Sequence, residues 1–78
     1  MVKTAKIRTL FCGESFMVHC RVFSNHATVT FKCLAGRYTL RVYDNGKFEF
    51  DFPLNTVWDY EVKNFLEKKY FELIKIAC

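Results

Sequence analysis

The sequence predicts an α+β protein: a five-stranded antiparallel β-meander with one C-terminal α-helix packed on its apolar face. Three observations carry that expectation. Apolar and polar residues alternate with period two through the first two thirds of the chain. Glycine, asparagine and aspartate interrupt the alternation at strand-length intervals, and from Thr56 onward the apolar spacing becomes helical. A chain of 78 residues forms one domain, 1–78, with the sheet over about 4–52 and the helix over about 56–76.

Strand one is expected over Thr4 to Cys12, with Ile7, Thr9 and Phe11 on one face. Strand two follows over Phe16 to Ser24, where Phe16, Val18, Cys20 and Val22 alternate with Met17, His19, Arg21 and Phe23. Strand three, Ala27 to Leu34, presents Val29, Phe31 and Cys33, and strand four, Arg37 to Asp44, presents Tyr38, Leu40 and Val42. Strand five, Lys47 to Phe52, sets Phe48, Phe50 and Phe52 against Lys47, Glu49 and Asp51. β-branched and aromatic residues suit such a pleated, half-buried surface.

One shared core restricts the turns. Two-residue loops at Gly13-Glu14, Asn25-His26 and Ala35-Gly36 each pair apolar with apolar, as Phe11 with Phe16, Val22 with Val29 and Phe31 with Leu40. A two-residue loop at Asn45-Gly46 fails, because it sets Val42 against Glu49 and inverts strand five. A three-residue loop, Asp44-Asn45-Gly46, with Gly46 in the left-handed region, restores the phase and pairs Val42 with Phe48 and Leu40 with Phe50. In this register Cys20 and Cys33 sit diagonally, too far apart to bridge comfortably.

Pro53 ends strand five. Asn55 or Thr56 caps the helix, and Thr56 with Asp59 forms an imperfect capping box. Trp58, Val62, Phe65, Leu66, Leu73 and Ile76 make a stripe at helical spacing. Asp59–Lys63, Lys63–Glu67 and Lys68–Glu72 are opposite-charge pairs four apart. Lys69 interrupts the stripe and Phe71 falls opposite it, so the segment after Lys69 has two readings: continued helix, or an irregular stretch or short sixth strand.

The uncovered face carries the functional signal. Its expected rows run Arg8, His19, Lys32, Thr39, Asp51; then Lys6, Arg21, Thr30, Arg41, Glu49; then Thr4, Phe23, Thr28, Tyr43, Lys47. Lys6, Arg8, His19, Arg21, Lys32 and Arg41 thus form a belt of unpaired positive charge, with cations opposite one another at a cost to the sheet. Cations that follow phosphates, with Phe23 and Tyr43 to stack on bases, are the components of single-stranded nucleic-acid binding. The bland alternative is an ordinary solvated face with edge lysines that guard against aggregation. At one end Leu10, Met17 and Leu34 form an apolar row, with Cys12 nearby, which suggests a homodimer or partner contact. Tyr60 and Phe71 raise the same question on the helix.

Other chemistry is poorly supported. The net charge is +4 and fits nucleic acid or an acidic protein surface. The first residues lack a secretory signal and no apolar run spans a bilayer, so the expectation is a soluble, cytoplasmic protein without membrane partners. The four cysteines, Cys12, Cys20, Cys33 and Cys78, then read as reduced thiols. No C-x-x-C pair exists and His19 and Cys20 point to opposite faces, so no metal site is expected. Cys12 and His19 share the outward face only diagonally, and Glu49 and Asp51 occupy an ordinary half-solvated strand. There is no glycine-rich phosphate loop, His26 belongs to a hairpin, and Cys78 does not match a prenylation box. No enzyme, cofactor or small-molecule substrate is expected. The leading reading is a non-catalytic protein whose basic, aromatic sheet face docks on nucleic acid, single-stranded rather than duplex, or on a nucleic-acid-handling complex. The alternative is a stoichiometric protein inhibitor or adaptor of the kind viruses and phages use in a host cytoplasm.

Overall fold

The computed structural model describes residues 3–77. It shows the expected α+β architecture: one open sheet in the order β1-β2-β3-β4-β5, all antiparallel, with a single helix α1 packed against it. The strands are β1 (Lys3–Phe11), β2 (Glu14–Val22), β3 (His26–Cys33), β4 (Gly36–Tyr43) and β5 (Phe48–Phe50), and α1 is Val57–Ala77. Cys78 lies outside the described residues.

The last hairpin has the predicted register, with Val42 opposite Phe48 and Leu40 opposite Phe50. Gly46 has φ +88° and its amide bonds the Tyr43 carbonyl at 2.9 Å, closing the three-residue loop. The first three hairpins differ from expectation in one common way. Their loops are Cys12-Gly13, Ser24-Asn25 and Leu34-Ala35, each one residue earlier than the sequence reading placed it. Ile7 therefore faces Val18, Val18 faces Phe31, and Phe31 faces Tyr38.

Turn chemistry explains the shifts. At the first loop Cys12 and Gly13 have φ of +51° and +81°, and glycine takes the second central position that a type I′ turn favours. At the second, the Phe23 amide bonds the His26 carbonyl at 2.8 Å and the two rings stack. At the third, Gly36 enters β4 with φ +133°, a conformation that side-chain-bearing residues avoid. Because side chains alternate with period two, moving a loop by one residue shifts the partners by two and leaves every side chain on its predicted face.

The core lies between sheet and helix. Val18, Cys20, Val29, Phe31 and Leu40 are buried from the sheet, and Val62, Phe65, Leu66 and Leu73 from the helix. Phe65 stacks on Phe11 at 4.3 Å and meets Phe31 edge-on at 5.3 Å. Trp58 donates its indole N–H to the Tyr38 hydroxyl at 3.0 Å, which lets both polar rings enter the seam. Cys20 is buried and opposite Val29, while Cys33 is at the far end of β3 beside Gly36. Cys12 and Cys33 are free thiols.

The helix is continuous to Ala77, so the irregular or sixth-strand reading of its end is set aside. Lys69 explains why it continues. The Lys69 ammonium lies 5.9 Å from the Phe65 ring centre and bonds Glu72 at 2.9 Å, so its stem covers apolar surface while its charge stays paired. Lys69, rather than Lys68, is therefore the partner of Glu72. Lys63–Glu67 forms as expected at 2.9 Å. Ile76 leaves the predicted stripe and is 63% exposed. Phe71, expected opposite the stripe, is exposed but flanks the sheet, 6.3 Å from the Phe48 ring of β5.

The N-terminal cap is Thr56. Its hydroxyl accepts the Asp59 amide at 3.1 Å, and the Asp59 carboxylate accepts the amides of Asn55 and Thr56 at 2.9 and 3.0 Å. These bonds employ Asp59 as a cap rather than as the partner of Lys63. They hold its carboxyl below its ordinary value of 3.8, the Asn55 amide contributing most. Thr56→Ala is expected to cost about 1 kcal/mol in denaturant unfolding. Since the folded-state pKa is depressed, the Asp59 contribution is present above the ordinary value and is lost as pH falls through the lower folded one. Asp59→Asn should accordingly flatten the acid limb of the thermal midpoint below pH ~4 and leave its neutral-pH slope unchanged.

Candidate nucleic-acid interface

The outward positions of β1 to β4 hold six cations and no acid: Lys6, Arg8, Arg21, Lys32, Arg37 and Arg41. All but Arg41 are exposed. The helix contributes no net charge, because Asp59, Glu61, Glu67 and Glu72 offset Lys63, Lys68, Lys69 and Lys75. The whole net charge of +4 therefore lies in the sheet half of the sequence.

The registers assign new neighbours to each predicted residue. Arg21 lies between Thr4 and Thr28, and Arg41 lies between Thr28 and Glu49. His19 lies between Lys6 and Thr30, and Thr30 faces Thr39 with their hydroxyls 3.1 Å apart. Arg8 faces Met17, and its guanidinium is 3.5 Å from the Ser15 hydroxyl. Among the described residues, Lys32 and Arg37 are the one pair of Lys or Arg side chains at directly opposed positions. The predicted belt of mutually repelling cations is therefore corrected. The two-residue register shift places threonines and Met17 between them, and the sheet tolerates the charge with little direct repulsion.

Arg41 is also not unpaired. Its guanidinium bonds the Glu49 carboxylate at 2.8 Å, and the Tyr43 hydroxyl donates to the same oxygen at 3.3 Å. The bond to Glu49, first among its causes, raises the Arg41 pKa further. Arg41 is thus committed to the β5 side of the face, which leaves Lys6, Arg8, Arg21, Lys32 and Arg37 to meet an incoming anion.

The rings form a cluster at one end. Phe23 stacks on His26 at 4.6 Å and 16°, and His26 is 6.0 Å from Tyr43. His26 Nδ1 is 2.7 Å from the Asn25 side-chain oxygen, which fixes the imidazole plane beside Phe23. The sequence places His26 only in a hairpin. The signal that would have found it is the register, since it pairs directly with Tyr43 on the outward side. Arg37 was missed for the same reason, as it opens β4 opposite Lys32.

Between these ends the face is concave. A trough of about 670 Å³ is lined by Arg21, Lys32, Arg37, Arg41, His19 and Phe23, with threonines along its floor. A smaller hollow of about 430 Å³ lies beside it between β1 and β2, at Lys6, His19 and Arg21. Open depressions of this kind, edged by cations, suit a backbone laid along the sheet better than an enclosed small molecule.

The expected apolar row does not form. Leu10 faces Ser15, Met17 faces Arg8, and Leu34 is at a hairpin tip. Leu10 and Leu34 remain 73% and 107% exposed, while Met17 is half-buried in the trough. Cys12 does not share the outward face with His19 either, because its thiol turns to Glu61 on the helix at 3.7 Å. Desolvation, and then the carboxylates of Glu61 and Glu14, push that thiol up, which suppresses the thiolate that nucleophilic chemistry needs. Among the described residues, no three His, Cys, Asp or Glu side chains converge as metal ligands, and no helix is long and apolar enough to cross a membrane.

Glu49→Gln separates the electrostatic and structural roles of the edge pair. An ion pair this exposed contributes less than about 1 kcal/mol, so the thermal midpoint should barely move. The freed Arg41 guanidinium should instead show faster side-chain N–H exchange by NMR. Comparison with protein-family models, with curated proteins and with solved structures gives no match for this chain.

Proposed function

We propose that this is a non-catalytic binding protein whose outward sheet face docks on single-stranded nucleic acid, free or presented by a nucleic-acid-handling complex. The observation that carries this reading is the separation of charge and rings across β1 to β4. Three exposed cations, Arg21, Lys32 and Arg37, line the trough, and Lys6 lines the hollow beside it. No acid occupies the outward positions of β1 to β4, and the stacked Phe23–His26 pair, with Tyr43 tilted beside it, flanks the trough. Phosphates would follow Lys6, Arg21, Lys32 and Arg37, while unpaired bases extend the existing ring stack. A single strand fits better than a duplex, whose bases are not free to join that stack.

Fluorescence anisotropy with labelled single-stranded and duplex oligonucleotides over a salt series tests the proposal. Four phosphate contacts predict a slope of log affinity against log salt of about −2.8. Arg21→Glu with Arg37→Glu should weaken binding steeply and reduce that slope by at least about 1.4. His26→Ala should cost on the order of 1–3 kcal/mol and leave the slope alone, since it removes a stacking surface and not a charge. No binding at low salt, or a double variant that binds like the parent, refutes the proposal.

A second reading draws on the exposure of Leu10 and Leu34 at the other end of the sheet. In that reading the protein is a stoichiometric inhibitor or adaptor. Its complex would survive moderate salt and depend on Leu10 and Leu34 rather than on Arg21 and Arg37.

A further inference from the structure

The two edges of the sheet are treated differently. β5 has three residues, is preceded by the Gly46 bulge and is followed closely by Pro53, features that discourage further pairing. β1 has nine residues, Lys3–Phe11, without glycine or proline, and among the described residues it pairs only with β2. It is the long edge of the sheet.

Hairpin geometry specifies what that edge offers. The Cys12-Gly13 turn makes Phe11 and Glu14 the closing, hydrogen-bonded pair, and bonded pairs then alternate along the ladder. Thr9, Ile7 and Ala5 spend their main-chain groups on β2. Thr4, Lys6, Arg8 and Leu10 direct theirs to the open side. The residues with free N–H and C=O groups are therefore those whose side chains join the basic outward face. Ala5 and Ile7, between them, point inward and pack against the core only in part.

The opposite edge shows what such a position accepts. β5 reads Phe48-Glu49-Phe50: its phenylalanines enter the core, and Glu49 on the outward side bonds Arg41 of β4 at 2.8 Å. An acid–apolar alternating strand thus completes the basic sheet on one side, and β1 has no counterpart. We propose that the free edge of β1 binds an extended peptide segment of alternating acidic and apolar residues, which joins as a sixth strand. Its acids meet Lys6 and Arg8, its apolar residues cover Ala5 and Ile7, and its main chain pairs with Thr4, Lys6, Arg8 and Leu10.

A second copy is a poor occupant of the same edge. Each two-fold pairing of β1 with itself centred on residue 6, 7 or 8 sets Lys6 or Arg8 directly against another cation. The lysine and arginine that guard this edge against its own kind select for opposite charge. This inference does not require nucleic-acid binding, because it rests on the main chain and side chains of β1.

The probe is a synthetic peptide of alternating glutamate and valine, as long as β1, with a lysine–valine peptide as control. Amide hydrogen exchange of the intact protein is followed by NMR. The glutamate peptide should slow exchange at Lys6 and Arg8 by at least about tenfold and leave the amides of Arg21 and Arg37 unchanged. Lys6→Glu with Arg8→Glu should reverse the preference, weakening the glutamate peptide by at least about tenfold and admitting the lysine peptide. Unchanged exchange along β1 overturns the proposal, as does slowing confined to Arg21 and Arg37. Self-association through β1 that persists in excess peptide overturns it too.

Discussion

Burial of one sheet face under a single helix governs the rest of this molecule. Phe11, Phe16 and Phe31 from the sheet and Phe65 and Trp58 from the helix interlock, with ring centres between 4.3 and 6.5 Å apart. Each such pair adds about 0.5–1.5 kcal/mol beyond the area it removes from water. The described residues form one helix, and that helix can cover one side. The other side must be compatible with water or with a partner, so its composition is free to answer to binding rather than to packing.

The sequence made the side of each residue legible but not its neighbour. Alternation determines parity, and every strand residue from Ile7 to Phe50 lies on the face that alternation assigned. Parity is blind to a shift of two, and the first three hairpins each differ by that amount. Hydrophobic pairing cannot detect the difference, because Ile7 is as content opposite Val18 as opposite Cys20. What decides is local: two positive φ values at Cys12-Gly13, ring stacking across Ser24-Asn25, and the backbone that Gly36 adopts. The fourth hairpin was readable because a shift of one was at stake, and a shift of one would have exposed three phenylalanines.

The same blindness limited the site. Its membership was largely legible, since outward cations and rings follow from parity. Its internal pairing was not. Arg41 emerged as the anchor of Glu49, Met17 separated from Leu10, and His26 and Arg37 joined the face through pairings that only the register reveals. The helix held a different lesson. A lysine in an apolar stripe reads as a terminator, yet the Lys69 stem lies along the Phe65 ring while Glu72 neutralises its head.

The chain has a single tryptophan, and its half-buried indole is held between helix and sheet by the bond to Tyr38. It stands on the side of the sheet away from the basic trough. Its emission therefore follows separation of helix from strands and is insulated from occupancy of the cationic surface. Folding and ligation can be followed independently in one cuvette, by intrinsic light for the first and a labelled ligand for the second.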